Sequence, residues 1–271
     1  MSKRARVGDL QLHYEISGDG TPLVLTQGLG ADLHFWDESF ESFESDHRTL
    51  RWDVRGSGAS DAPPGPYRLE AFSTDLLHLL DALEIERVHL LGVSMGGVIA
   101  QRFALDNLDR LLSLILSSTS SEVGPRAVTM RQRLADQVET RGFDDRNSDA
   151  SRGFAPSFAA QHPDVVRRVT ETTRACDPKA YAAAARAVAD YNWTADLERV
   201  TVPVLILQGL DDQLTPPGGS VRMSRALPCS RLLMIPGAGH YLPLEQPELF
   251  TSCVRAFTAG VDLGSGLPPA S

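Results

Sequence analysis

The sequence predicts an α/β fold in which helices cover both faces of a mostly parallel sheet. Short apolar runs of strand length alternate with segments of helical periodicity along most of the chain, and this alternation is typical of such folds. The chain has 271 residues, of which 42% are hydrophobic, so it can bury one sizeable core. One long stretch between two strand-like runs shows no strand pattern and predicts a helical insertion.

Eight segments have the length and composition of β-strands. Apolar residues alternate in the two segments nearest the amino terminus, as they do in half-buried strands. Most of the later ones are continuous apolar runs, which are typical of buried parallel strands. In chain order the eight segments are residues 5–8, 10–17, 22–28, 47–54, 87–93, 111–119, 202–209 and 230–237.

Helical patterns fall between these strands. Residues 69–85 place apolar side chains at helical spacing and Ser73, Thr74 and Asp75 on the opposite face. A helix over 95–107 follows a strand directly, and a helix over 245–260 closes the fold. Strands that alternate with helices in this way are expected to lie parallel, with helices on both faces of the sheet.

Residues 123–198 interrupt this rhythm with a series of helix-like segments. We interpret them as a helical cap inserted between two strands of the sheet. The predicted domains are therefore an α/β core over residues 1–122 and 199–262 and a cap over residues 123–198. The tail, residues 263–271, is rich in Gly, Pro and Ser and is predicted to be disordered.

Composition excludes several classes of partner. The net charge is −9, whereas a nucleic-acid partner requires a basic face. The three cysteines, Cys176, Cys229 and Cys253, are far apart and show neither metal nor disulfide spacing, which favours a reducing, cytoplasmic location. The amino terminus lacks the apolar segment of a signal peptide, and no apolar run is long enough to cross a bilayer.

Residues 92–96, Gly-Val-Ser-Met-Gly, match the pattern G-x-S-x-G between a predicted strand and a predicted helix. This is the context in which a nucleophilic serine is presented on a sharp, strained turn. Large side chains at positions 92 and 96 would clash with neighbouring backbone, so glycine is required there. The hydroxyl of Ser94 would stand at the positive end of the following helix. We expect Ser94 to be the nucleophile.

A serine hydroxyl needs a general base, and an acid must orient that base. Only two histidines follow Ser94: His162 precedes a proline in the cap, and His240 lies in a loop just after a strand. Catalytic residues collect at such loops in open α/β sheets, so His240 is the candidate base. Asp211 and Asp212 end another strand, and spacing alone does not choose between them as the acid.

An oxyanion hole needs backbone N–H donors. The N–H of Met95, the residue after the nucleophile, is one candidate. The second is expected from the loop after the strand over 22–28, where Gly28 and Gly30 let the backbone bend close and Leu29 is the candidate donor.

Several motifs together resemble the serine hydrolases of the α/β-hydrolase fold. They are the segments QGLG, DVRGSGASD, GVSMGG, GLDDQLTP and GAGH, at residues 27–30, 53–61, 92–97, 209–216 and 237–240. The resemblance implies an eight-stranded, mostly parallel sheet with the cap after the sixth strand, a triad of Ser94, Asp212 and His240, and no cofactor or metal. It selects Asp212 because the family pattern G-x-x-D before a proline maps onto Gly209 and Asp212. Many relatives carry His-Gly where this chain has Gln27-Gly28.

Within the fold, the segments LGADLHFWD, SDAPPGPY and GVSMGGVIAQ most resemble 3-oxoadipate enol-lactonases. This implies hydrolysis of a small ester or lactone by a monomer or homodimer, with no nucleic-acid or membrane partner. A broad carboxylesterase or N-acyl-homoserine lactone hydrolase is the first alternative. A cofactor-free perhydrolase, a C–C bond hydrolase and a non-enzymatic small-molecule receptor are the others. Phe35, Trp36 and Trp193 are candidates for the substrate pocket.

Overall fold

The computed structural model describes residues 3–260 as one eight-stranded sheet flanked by helices. The strands are β1 (Lys3–Val7), β2 (Leu10–Ser17), β3 (Thr21–Thr26), β4 (His47–Trp52), β5 (Val88–Val93), β6 (Leu111–Ser117), β7 (Val204–Gly209) and β8 (Ser230–Ile235). Their spatial order is β1-β2-β4-β3-β5-β6-β7-β8. The β1–β2 and β2–β4 pairs are antiparallel, and the other pairs are parallel. The mostly parallel eight-stranded sheet is therefore confirmed.

Ten α-helices accompany these strands in the described part of the chain. They are α1 (Asp37–Phe43), α2 (Leu69–Ala82), α3 (Met95–Asp106), α4 (Pro125–Arg141), α5 (Pro156–Gln161), α6 (Pro163–Ala175), α7 (Pro178–Ala187), α8 (Gly218–Ala226), α9 (Leu242–Glu245) and α10 (Pro247–Thr258). The helix predicted over 245–260 corresponds to α10, which begins two residues later because Pro247 starts the helix after Gln246 takes an extended φ of −139°. Proline has no N–H and favours the first helical position.

The sheet separates two hydrophobic cores, because successive side chains of a strand point to opposite faces. Val24, Leu90 and Leu114 face the core that contains α2 and α3. Leu25, Leu91 and Ile115, each one residue further along the same strands, face the core that contains α1 and α10. The sheet is thus buried on both faces, as the continuous apolar runs of the sequence require.

Helices α4 to α7 occupy the segment between β6 and β7, which is the region interpreted as the cap; its treatment as a separate domain stays a prediction. Each of the four helices begins with a proline. Helices α4 and α7 pack through a small cluster that contains Ala135, Val138, Tyr181, Ala182 and Ala185. Alanines at this contact let the two helix axes approach closely, so the pair forms a wall over the sheet.

Two predictions made from the sequence concern residues that the structure does not describe. The predicted disordered tail, residues 263–271, and the last two residues of the predicted core, 261–262, lie outside the described residues. Within residues 3–260, no helix is both long enough and apolar enough to span a bilayer.

The close contact between α3 and the sheet generates a stability prediction. A Cβ at Gly96 would lie 2.1 Å from the backbone O of Thr26, so Gly96→Ala should strain the helix–sheet junction and lower Tm by about 5 °C or more. Gly124→Ala is the matched control, since nothing lies within 4 Å of its Cβ position. Thermal unfolding followed by circular dichroism measures both. Equal Tm values for the two variants would contradict the contact.

Candidate active site

Ser94 lies on the turn between β5 and α3 and has a strained backbone, with φ 56° and ψ −117°. Its N–H donates to the backbone O of Ser117 at 3.0 Å, and its O accepts from the Thr119 hydroxyl at 2.9 Å. The side chain makes no capping hydrogen bond to α3. A non-glycine residue at positive φ persists only where its surroundings hold it, and these bonds fix the hydroxyl at the carboxyl edge of the sheet.

Two glycines make this turn possible because backbone approaches backbone on both sides of it. A Cβ on Gly92 would lie 2.2 Å from the O of Gly96, and a Cβ on Gly96 would meet the O of Thr26 and of Gln27, the latter at 2.6 Å. No side chain fits at those distances. The requirement for glycine at both positions, predicted from the sequence, therefore follows from these short distances.

His240 and Asp212 come together behind the serine from the loops that follow β8 and β7. The His240 Nδ1 lies 2.9 Å from the Asp212 Oδ2, and both residues are almost wholly buried, with 4% and 3% of their surfaces exposed. The backbone N–H of His240 donates to the O of Gly153 at 2.6 Å. This geometry leaves the imidazole Nε2 as the nitrogen that can act on a hydroxyl.

The surroundings of Asp212 distinguish it from Asp211. The Asp212 Oδ1 accepts from the backbone N–H groups of Leu214 at 2.9 Å and Thr215 at 2.8 Å. Its Oδ2 accepts from the Gln208 amide at 3.2 Å as well as facing His240. Asp211 is exposed. The structure thus brings Asp212, and not Asp211, to the histidine.

Leu29 and Met95, the candidate oxyanion-hole residues, both lie beside Ser94. A Cβ on Gly28 would be 3.2 Å from the Ser94 Cβ, so the loop after β3 touches the serine. Among the hydrogen bonds of residues 3–260, neither the Leu29 N–H nor the Met95 N–H has an acceptor. Both donors also line the same cavity as Ser94. The two N–H groups are therefore available to an oxygen held beside the serine.

The loop that carries Leu29 is supported from two sides. From the core, the buried Asp53 carboxylate accepts from the Leu33 N–H at 2.7 Å and also bonds the His13 ring at 2.6 Å. From the cap, the Thr173 hydroxyl on α6 lies within hydrogen-bond distance of two carbonyl oxygens that share its one proton, the Gly30 O at 3.2 Å and the Val169 O of its own helix at 3.1 Å. These contacts give Asp53 a structural role in the loop.

A cavity of about 540 Å³ joins these groups. Ser94, His240, Leu29 and Met95 form its floor, and one face of α4 forms its roof through Ala127, Met130, Arg131 and Leu134. These four residues have the spacing i, i+3, i+4, i+7 of one helical face. The volume is within the range of small-molecule sites.

The three aromatic residues predicted to line the substrate pocket lie in different environments. Phe35 lines the cavity. Trp36 does not: it is fully buried, with its ring 6.3 Å from that of Phe250. Trp193 donates its ring N–H to the Gln101 side chain at 3.0 Å and lies in the core beneath the cap. The prediction that Trp36 and Trp193 line the pocket is therefore wrong, because both rings pack against neighbouring side chains away from the cavity wall.

Sequence reasoning did not place Tyr181 and Tyr241 at the site, and both line the cavity. Burial raises the pKa of Tyr181 to about 12 and raises the pKa of Tyr241 as well. Both phenols therefore stay protonated at neutral pH and can donate a hydrogen bond to a ligand, but neither can serve as a base. Tyr241 directly follows His240 in the sequence, and this adjacency is the feature that could have identified it as a residue of the site.

Comparisons with known proteins identify the family to which the chain is similar. Residues 21–247 match the family described by the α/β hydrolase fold. The chain is 29% identical over 251 residues to 3-oxoadipate enol-lactonase 2 of Acinetobacter baylyi, a match that covers 92% of this chain and 93% of that protein. The crystal structure of the enol-lactonase from Burkholderia xenovorans LB400 superimposes with a TM-score of 0.89 at 29% identity, covering 95% of this chain and 100% of that one. A thermophilic esterase from Thermogutta terrifontis gives a TM-score of 0.89 at 32% identity, covering 96% and 98%.

The chain belongs to the α/β hydrolase fold family. The resemblance drawn from its motifs is confirmed, since its relatives are named enol-lactonase and esterase.

The environments of the two aspartates predict unequal effects of substitution. Asp212→Asn should lower kcat for p-nitrophenyl acetate by about 10³-fold, since an amide cannot hold the imidazole in the required tautomer. Asp211→Asn, at the exposed neighbouring position, should stay within about twofold of the parent. Steady-state kinetics on both variants measures this, and a larger loss for Asp211→Asn would reverse the assignment.

Proposed function

We propose that this protein hydrolyses carboxylic esters or lactones through an acyl-enzyme on Ser94. The observation that carries the proposal is that one cavity is lined by Ser94, by His240 held 2.9 Å from Asp212, and by the N–H groups of Leu29 and Met95. Nucleophile, oriented base and paired N–H donors together constitute the machinery of acyl transfer.

In the first half of the reaction the Ser94 oxygen attacks the substrate carbonyl. His240 Nε2 takes the hydroxyl proton, and Asp212 stabilises the resulting imidazolium. The tetrahedral oxygen gains negative charge and accepts from the N–H groups of Leu29 and Met95. Because Ser94 lies at the amino terminus of α3, the helix dipole also favours this charge. The imidazolium then gives its proton to the departing alkoxide.

In the second half, His240 removes a proton from water, and the hydroxide attacks the acyl carbonyl. The collapse of that intermediate returns the proton to Ser94 and releases the acid. For a lactone the alkoxide stays attached to the acyl group, so one ring-opened hydroxy acid leaves. No cofactor is required by these steps.

The charges around the cavity support an acidic substrate such as an enol-lactone with a free carboxylate. Arg131, Arg146 and Arg152 all line it, against the single carboxylate of Asp149. Within residues 3–260, none of the three arginines forms a salt bridge. By contrast, other cap arginines are paired with carboxylates: Arg168 with Glu38, Arg174 with Asp145, and Arg186 with Asp136 and Glu139. A chain of net charge −9 thus keeps three cations without a carboxylate partner at its cavity, where they would attract an anion. Arg131 is in addition held in place by a hydrogen bond from its Nη1 to the Val188 O at 2.8 Å.

A broad carboxylesterase is the second candidate, and the apolar part of the cavity favours it. Met130 and Leu214 line the cavity and are 64% and 46% exposed, which suits an uncharged alkyl group. A cytoplasmic location and a monomeric or homodimeric state stay predictions of the sequence.

Substitution of the nucleophile tests the chemistry. Ser94→Ala should fold normally and lose at least about 10³-fold in kcat/KM for p-nitrophenyl acetate, because no other hydroxyl takes its place. Kinetics with a matched thermal melt separates catalysis from folding. Unchanged turnover in a folded Ser94→Ala protein would overturn the mechanism.

Substitution of Arg131 tests the charge of the substrate. Arg131→Gln should raise KM for 3-oxoadipate enol-lactone by about tenfold and leave KM for p-nitrophenyl acetate within about twofold. Arg133→Gln is the control, since Arg133 lies on the same helix, is exposed and does not line the cavity. If neutral esters are the better substrates of the parent and Arg131→Gln affects both classes equally, the carboxylesterase is favoured instead.

A further inference from the structure

Glu245, the last residue of α9, is a buried acid that the proposed reaction does not use. Only 8% of its surface is exposed, and it forms no salt bridge with a cation among residues 3–260. Its carboxylate instead accepts from two backbone N–H groups: Ala155 at 2.8 Å and Gly239 at 3.0 Å to each oxygen. An ionised carboxylate has only acceptors, so it matches a site where every facing group is a donor.

The two donors belong to different parts of the fold. Gly239 immediately precedes His240 in the loop after β8, whereas Ala155 lies in the cap at the start of α5. The sequence separation between Ala155 and Glu245 is 90 residues. The carboxylate therefore bridges the histidine loop (236–241) and the cap turn (153–155).

Backbone contacts reinforce this bridge. The His240 N–H donates to the Gly153 O at 2.6 Å. A Cβ on Gly239 would lie 2.6 Å from that same oxygen and 2.7 Å from the Ala155 N. The histidine loop and the cap turn thus lie against each other with no side chain between them, and the position of His240 depends on the cap turn staying in place.

We propose that Glu245 is a positioning residue for His240. Its carboxylate clamps the histidine loop to the cap turn and so keeps the imidazole directed at Asp212 and Ser94. The inference rests on the proposed function, because it assigns Glu245 a role only if His240 is the base.

The site holds this charge at a cost, which argues that the carboxylate has a use. Burial, and to a smaller degree the charge of Asp212, raises the pKa of Glu245, while backbone hydrogen bonding from Ala155, Gly239 and Tyr241 opposes that rise. A neutral amide of the same shape avoids the desolvation cost. Its single oxygen at the Oε2 position could still accept from both Ala155 and Gly239, but its NH₂ group would then occupy the Oε1 position and face the Gly239 N–H, donor against donor.

Glu245→Gln tests the proposal, with p-nitrophenyl acetate as the substrate because it is small and makes few contacts with the cap. We expect kcat to fall by about tenfold or more, since a displaced catalytic group slows the chemical step, and KM to stay within about twofold. Glu245→Asp keeps both acceptors and the charge but is one methylene shorter, and it should recover part of the lost kcat. Glu248→Gln is the control, because Glu248 is exposed on the next helix.

Three results would overturn the proposal. The first is a folded Glu245→Gln protein whose kcat equals that of Glu248→Gln. The second is an equal loss of kcat in Glu245→Gln and Glu245→Asp that follows a drop in Tm. The third is a change in KM with no change in kcat. If Glu245→Gln does not fold, Glu245→Asp carries the test, and a kcat equal to that of the parent contradicts the clamp. The Ser94→Ala result separates the two levels: an active Ser94→Ala protein removes the proposed function, whereas an inactive one beside a normal Glu245→Gln protein removes only the clamp.

Discussion

The active site depends on a backbone-to-backbone contact between α3 and the sheet. With no side chain at Gly92 and Gly96, the first turn of α3 lies directly on β3 and β5, where a Cβ would come within 2.2 Å of backbone oxygen. This contact forces the turn at Ser94 into positive φ. It also brings the loop after β3 next to the serine. The strain is local, and the two buried cores of the sheet balance it.

The cap takes part in the site at three points, and each has a different physical role. The apolar face of α4 with Arg131 covers the cavity. Thr173 holds the loop that carries Leu29. The turn around Gly153 holds the backbone of His240. The cap therefore contacts the segments that carry the candidate catalytic groups, in addition to lining the cavity.

The sequence predicts the sheet well, and it identifies the candidate nucleophile Ser94, because both depend on local patterns. A continuous apolar run of strand length is typical of a buried strand at any position in the chain. The G-x-S-x-G pattern depends only on the strand and the helix that flank it. Spacing left Asp211 and Asp212 undecided, because which carboxylate faces His240 depends on backbone donors from residues 214 and 215.

Long-range packing explains what the sequence did not predict. Trp36 and Trp193 adjoin site segments in sequence, yet their partners in the core, Phe250 and Gln101, are distant in the chain. The sequence of α4 alone does not show which of its faces meets the cavity, because that depends on α7 packing against the other side of the helix. No sequence pattern marks Glu245, and its proposed role depends on Ala155, which is 90 residues away.

The central claim is that Ser94 is the activated nucleophile, and covalent labelling of that nucleophile is the most direct test. The protein would be treated with diisopropyl fluorophosphate, which phosphorylates activated serines, and the adduct would be mapped by peptide mass spectrometry. The account predicts one adduct per chain, on Ser94, with loss of esterase activity in proportion to labelling. An inactivated protein that carries its adduct on another residue, or full activity with Ser94 modified, would contradict it.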